Sequence, residues 1–288
     1  MSALQKLDVI KSSFLSKNCL LRNKQASMQI TSPTLQIFDR TTHDRGSFDA
    51  GRITEYKVIG MPQDRTVQKR VGPLFYWSWA TGQPDAIIAL HPHQGFEIFS
   101  YVINGSLIHR DTLGSQREVH AGGLQLMQTG SGVSHEEVMG ANGTEFFQIW
   151  VEPHLREAIA QPPTYRDFAD AEFAVAEAPG VRIKQVLGSN SPATLAVPVV
   201  MLDVELEPQA TFIHELLPNR GVAALTVTGT GTWQVDQEPA QSAKLGDMAI
   251  LQNPSATTRS AVFTSHEAAR LVLVDVPLKV DYPLYPQF

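Results

Sequence analysis

Apolar and β-branched residues come in short runs along this chain. The runs are Ile53–Ile59, Phe75–Thr81, Ile87–Leu90, Phe96–Ile103, Leu107–Arg110, Leu124–Gln128 and Phe146–Val151. Clusters of Gly, Asn, Asp and Pro separate them at intervals of about ten residues, the spacing of a β-sandwich or barrel. A second series follows at Val181–Leu187, Val199–Leu206, Ala210–Glu215, Ala223–Val235, Met248–Gln252 and Arg270–Val276. Between the series, His154–Gln161 predicts a short helix that Pro162 and Pro163 would break. Asn104-Gly105, lying between two runs, predicts a tight hairpin, because a type I′ turn needs positive φ at both central residues.

The two series look like copies of one unit. Gly105 to Gly123 spans eighteen residues and Gly229 to Gly246 seventeen, with paired runs before and after each. The expected fold is therefore all-β, with two barrels in one chain. The expected division is a first barrel over 31–160 and a second over 175–288, parting near 155–175.

Composition narrows the class. A chain of 288 residues can bury a large core. A formal net charge of −6 argues against the usual basic nucleic-acid surface, so no direct nucleic-acid contact is expected. No apolar run approaches the ~18 residues of a membrane helix. The single cysteine, Cys19, excludes an internal disulfide and suggests a reducing, cytoplasmic setting. Residues 1–30 differ from the rest, with Lys6, Lys11, Lys17, Arg22 and Lys24 against the lone acid Asp8. Three readings stay open for them: an ordered arm, a mis-called start ahead of Met28, or a targeting segment.

Two clusters carry candidate chemistry: His91-Pro-His93-Gln-Gly-Phe-Glu97 and Gly130-Ser-Gly-Val-Ser-His135-Glu136-Glu137. On a strand, His91 and His93 put both rings on one face, and His135 with Glu137 repeats the arrangement. Glu136 should point away. Pro92 donates no ladder hydrogen bond, which suits an edge strand at an open barrel mouth. Imidazoles with a carboxylate, gathered from two strands, form a plausible ligand set for a mononuclear transition metal. Spacing leaves open whether Glu97 or Glu137 completes the set. The second half has no such pair. The repeat offsets put Glu215 and Leu217 at the HxH positions and Arg259 near that of His135, while His214 and His266 are isolated. One metal per chain, in the first half, is expected.

The segments HPHQGFEIFSYVINGSLIHRD and GGLQLMQTGSGVSHEE resemble the paired motifs of the cupin superfamily and, more narrowly, the pirin family. The resemblance is clear over about residues 50–155. It departs from general cupins in one extra residue between Glu97 and Gly105, and in Thr129 where many have Pro; both are pirin-like variations. It implies two jelly-roll-like cupin barrels with the metal in the first. In pirins the fourth ligand is the Glu two residues after the second-motif His. The implied ligands are therefore His91, His93, His135 and Glu137. Glu97 then becomes a catalytic or ligand-orienting candidate beside Glu137.

The implied cofactor is one divalent ion, with Fe(II) favoured and Ni, Mn, Co, Cu or Zn open. Pirins include proteins with quercetin 2,3-dioxygenase activity, so the resemblance implies a flavonol-like substrate and O2. Glu137 or Glu97 would act as general base. Phe96, Phe99, Leu126, Met127 and Phe147 are candidates for the pocket wall. Other pirins act as co-regulators through protein partners, which gives the alternative: a metal-dependent, non-enzymatic regulator.

Overall fold

The computed structural model describes residues 34–285; residues 1–30 and the readings attached to them lie outside it. The first series comprises β1 (Leu35–Phe38), β2 (Asp44–Phe48), β3 (Ile53–Ile59), β4 (Leu74–Gly82), β5 (Ile87–His93), β6 (Glu97–Asp111), β7 (Gln116–His120), β8 (Leu124–Gln128) and β9 (Val133–Val151). A single helical turn, α1 (Leu155–Ala158), leads to β10 (Thr164–Phe168), β11 (Ala174–Ala178), β12 (Val181–Leu187) and β13 (Val200–Leu206). The chain continues through β14 (Thr211–Leu216), β15 (Arg220–Thr228), β16 (Thr230–Val235), β17 (Gln241–Lys244), β18 (Met248–Asn253), β19 (Arg259–Ser265) and β20 (Ala269–Pro277).

The fold is all-β, built as two barrels. The first is one sheet in the order β10-β8-β6-β9-β4-β3-β2, with β5 added to β9 and β7 to β6. The second is a seven-stranded sheet, β1-β18-β15-β20-β13-β12-β11, and a four-stranded one, β14-β19-β16-β17. Two strands cross between the halves. β1 pairs with β18, Leu35 opposite Leu251, while β10 pairs with β8, Thr164 opposite Gln128. The sheets thus do not follow the sequence ranges 31–160 and 175–288: Leu35–Phe38 sits in the second half's sheet.

The burial strings show why these residues pack so. β16 alternates strictly, one face in and one out, whereas β4 is buried along almost its whole length. Both faces of β4 are covered, because the larger sheets of the two halves pack on each other. The largest apolar cluster is that joint, with Trp77, Phe99 and Phe147 from one half against Met201, Leu225 and Val272 from the other. Each barrel keeps a smaller interior, around Leu107 and Phe146 in the first and Trp233 and Phe263 in the second.

Two expectations need correction. Asn104-Gly105 makes no hairpin. It lies inside the continuous strand β6, between two register shifts, and Gly105 alone has positive φ, at +74°. That backbone state serves a bulge as well as a turn. A Cβ there would fall 2.0 Å from the carbonyl oxygen of Gly143, so β6 and β9 bend together only with glycine at this crossing. Gly229 (φ +75°) marks the equivalent bend of the second half, where Ala223–Val235 separates into β15 and β16. The expected helix over His154–Gln161 is reduced to α1.

Candidate metal centre

β9 lies between β5 and β6, and the site is built on it. His135 is opposite His91 on β5 and Asp111 on β6, while His93 is opposite Val133. The register of β5 slips between Ile88 and His91, which re-aims the strand at the barrel mouth. β5 pairs only with β9, so Pro92 sits on an edge strand as expected. Ring nitrogens of His91, His93 and His135 lie within 4.8 Å of one another. Among the described residues this is the only group of three or more side chains that could hold a metal. His214 instead pairs with Asp275 at 3.0 Å, and His266 is exposed.

The nitrogens fit an ion. His93 Nε2 and His135 Nε2 are buried and have no hydrogen-bond partner, a state that costs free energy unless something accepts their lone pairs. His91 Nδ1 meets the Ala89 carbonyl at 2.8 Å; a proton there leaves His91 Nε2 as the free donor atom. Burial, followed by the charge of His91, pushes His93 down to about 4 and His135 further. Both rings are therefore neutral near pH 7, the form in which imidazole ligates.

The two acids diverge. Glu137 is fully buried on the face of β9 that carries His135; its Oε1 accepts from Ser100 Oγ at 3.1 Å and its Oε2 from Gln148 Nε2 at 2.6 Å. Burial raises its carboxyl to about 7 against the pull of those two bonds. Its carboxylate is not part of the three-imidazole group. Glu97 is not brought to the cluster. Its oxygens accept from Gln128 Nε2 (2.7 Å) and from the backbone amides of Ala196 (2.7 Å) and Val197 (3.1 Å). Glu97 thus ties the first half to a loop of the second and orients no imidazole. Glu136 points away, to Arg110 at 2.9 Å.

Among the expected wall residues, Phe99, Leu126 and Phe147 belong to the joint between halves. Phe96 and Met127 group with Trp150, whose ring lies 4.8 Å from that of His93. Sequence reasoning missed Trp150, Ser100, Gln148 and also His109. His109 is 1 % exposed, with Nδ1 3.4 Å from His135 Nδ1 and Nε2 2.8 Å from Asp111 Oδ2. His109-x-Asp111 sits at the same i, i+2 strand spacing as the ligand pairs, and that was the available signal.

Residues 76–151 match the family model described as Pirin. That segment of the first half is thus a pirin domain by its match. Pirin-like protein 2 of Arabidopsis thaliana is 30% identical over 165 residues, 56% of this chain and 51% of that protein. A Pasteurella multocida protein named "Putative quercetin 2,3-dioxygenase" is 39% identical over 89 residues, 30% of this chain and 37% of that protein. The matched segments span about half the length, or less, of these relatives. Among solved structures, a quercetin 2,3-dioxygenase from Acinetobacter baumannii superposes with a TM-score of 0.71 at 19% identity, covering 88% of this chain and 83% of that one. That likeness shows the chain's fold, two cupin barrels in one chain. No helix among the described residues is long and apolar enough to cross a membrane.

Proposed function

We propose that the first half is a metal-dependent oxygenase site of the quercetin 2,3-dioxygenase type, with His91, His93, His135 and Glu137 holding one divalent transition metal, Fe(II) by preference. One observation carries this reading: buried imidazole nitrogens without partners converge at a barrel mouth. A cavity of about 500 Å³ opens beside them, lined by Pro92, His93, Gln94, Thr112 and Val133, within the size range of small-molecule pockets. The 39% identity to the Pasteurella protein supports the substrate class.

A bound divalent ion would supply Lewis acidity toward a flavonol oxygen and a common centre for O2. The chain's own residues do the rest. The Ala89 carbonyl fixes the ring of His91, and Trp150 walls His93. Glu137 offers the carboxylate, as ligand or as acceptor of the substrate's hydroxyl proton, with Ser100 and Gln148 holding its oxygens. Glu97 has no part in the proposed machinery, because its oxygens serve the joint. Bringing substrate and O2 to one place replaces a bimolecular encounter with a positioned one.

The test is oxygen uptake by Fe(II)-loaded protein with quercetin, followed by bleaching of the flavonol's visible absorption. Both should occur, and both should vanish in His135→Ala. If no flavonol or catechol drives oxygen uptake while iron oxidation alters binding to a protein partner, the regulator reading replaces the oxygenase.

A further inference from the structure

His135 ends a chain of contacts that the proposed reaction does not use. Asp111 Oδ1 accepts the backbone N–H groups of Leu113 and Ser115, each at 2.9 Å, which fixes the carboxylate in its turn. Its other oxygen, Oδ2, meets His109 Nε2 at 2.8 Å. His109 Nδ1 faces His135 Nδ1 at 3.4 Å, and His135 Nε2 ends the chain, buried and unpartnered. The side chains of His109 and Asp111 are 2% and 0% exposed. The ring of Tyr165, from β10, stacks on His109 at 3.9 Å with an interplanar angle of 9°, so His109 has no room to turn.

Counting protons along the chain leaves one solution. An ionised carboxylate only accepts, so His109 carries its proton on Nε2. A neutral imidazole has one proton, so His109 Nδ1 is a lone pair. The facing nitrogen must then donate, which puts the proton of His135 on Nδ1 and leaves Nε2 bare. That is the buried nitrogen that no group of the chain meets.

We infer that Asp111 and His109 are positioning residues: through the Asp111–His109–His135 hydrogen-bond chain they hold His135 in the tautomer whose Nε2 can bind a metal. The inference rests on the reading of the three histidines as a metal site. It assigns a role to an HxD pair that lies outside the ligand set. An outer carboxylate that orients a ligand imidazole commonly matters 10- to 100-fold in metal affinity; here a second imidazole stands between the two.

The sharpest probe is Asp111→Asn. The two turn amides keep the Asn oxygen at the Oδ1 position, so the new NH2 group faces His109 Nε2. His109 must then accept there and carry its proton on Nδ1. His135 in turn becomes an acceptor at Nδ1 and carries its proton on Nε2, where it blocks the metal. Shape and turn are preserved, so a purely structural role predicts no change. The chain predicts a Zn(II) affinity, by chelator competition, about 10- to 100-fold weaker. In a His109→Phe background, which keeps a ring against Tyr165 but no nitrogens, adding Asp111→Asn should cost nothing further. Nitrogen-15 correlation spectra of the histidine rings, taken without metal, should show the His135 proton on Nδ1 in the parent and on Nε2 in Asp111→Asn.

An Asp111→Asn variant that binds Zn(II) within twofold of the parent overturns the inference. So does a full additive penalty in the His109→Phe background. If His109→Phe does not fold, the ring-proton spectra of Asp111→Asn decide alone, and an unmoved proton overturns it. Failure of the underlying reading is separate: His135→Ala would then keep the parent's Zn(II) stoichiometry, whatever the ring protons do.

Discussion

Each barrel of this protein carries one histidine-containing polar cluster, and the two clusters are completed in opposite ways. In the second half, Asp275 on β20 receives Arg220 Nε at 2.7 Å and His214 Nε2 at 3.0 Å, and the remaining Arg220 nitrogens reach backbone carbonyls of Pro198 and Asp275. Asp275, Arg220 and His214 thus all have partners within the chain. In the first half, His93 Nε2 and His135 Nε2 are just as deeply placed and have none. A cluster whose members satisfy one another needs nothing from outside; one that leaves buried lone pairs open is stabilised by whatever fills them. The same architecture yields a closed ion cluster in one copy and an open ligand set in the other.

The largest expected effect comes from opening the closed half. Asp275→Ala leaves a largely buried guanidinium without its counter-ion and should cost about 3–5 kcal/mol in urea unfolding, with metal stoichiometry unchanged. A loss of bound metal in that variant would break the comparison. His135→Ala should take the stoichiometry from one to zero. It should also abolish a metal-dependent stabilisation of about 2.7 kcal/mol at metal concentrations 100-fold above Kd, read as the difference in unfolding free energy with and without metal. A metal that stayed bound would show that the open nitrogens are not its ligands.

The joint between halves gives a smaller effect with a definite sign. Asp203 accepts two bonds from Arg270, at 2.9 and 2.7 Å, and one from Tyr101 Oη at 2.5 Å. Burial works to raise its carboxyl, but the Arg270 hydrogen bonds and charge outweigh it and hold the group below the ordinary value near 3.8. A carboxyl lowered by folding contributes stability above its unfolded pKa, and that contribution is lost as pH falls through the folded value. Urea midpoints between pH 2 and 5 should therefore rise less steeply in Asp203→Asn than in the parent. Parallel profiles would remove Asp203 from the joint's acid sensitivity. The smallest effect belongs to the exposed His266: His266→Ala should stay within about 0.5 kcal/mol of the parent and keep the full complement of metal, measured by elemental analysis.

What could be read in advance follows from how local each feature is. The histidine group was legible because two i, i+2 pairs on strands, framed by glycines, fix a shared face without further information. The β-character of the chain was legible for the same reason. Asn104-Gly105 misled because positive φ at a glycine says that the backbone departs from regular strand, and both a turn and a bulge satisfy that. Glu97 misled because the amides that claim it, Ala196 and Val197, come from the other half of the chain. His109 was overlooked although Asp111 follows it at i+2, since its other partner, His135, meets it only when β6 and β9 pair. β1 offers just four residues, and what makes them a strand is β18.

That exchange of strands has a consequence for how the molecule comes into being. Leu35 waits for Leu251, and Gln128 for Thr164, so β1 stays unpaired until β18 has been synthesised and the first sheet stays open until β10 has. At translation rates of about 5–20 residues per second, β1 spends some ten seconds or more unclaimed. During that interval the seven-stranded sheet is incomplete, and until β10 is made β8 exposes the rim that β10 will cover. The half that carries the histidine group must therefore pass through a stage in which the strand bearing Tyr165 is still absent from its place over His109. Assembly of the site is thus tied to progress of the chain well past its last ligand.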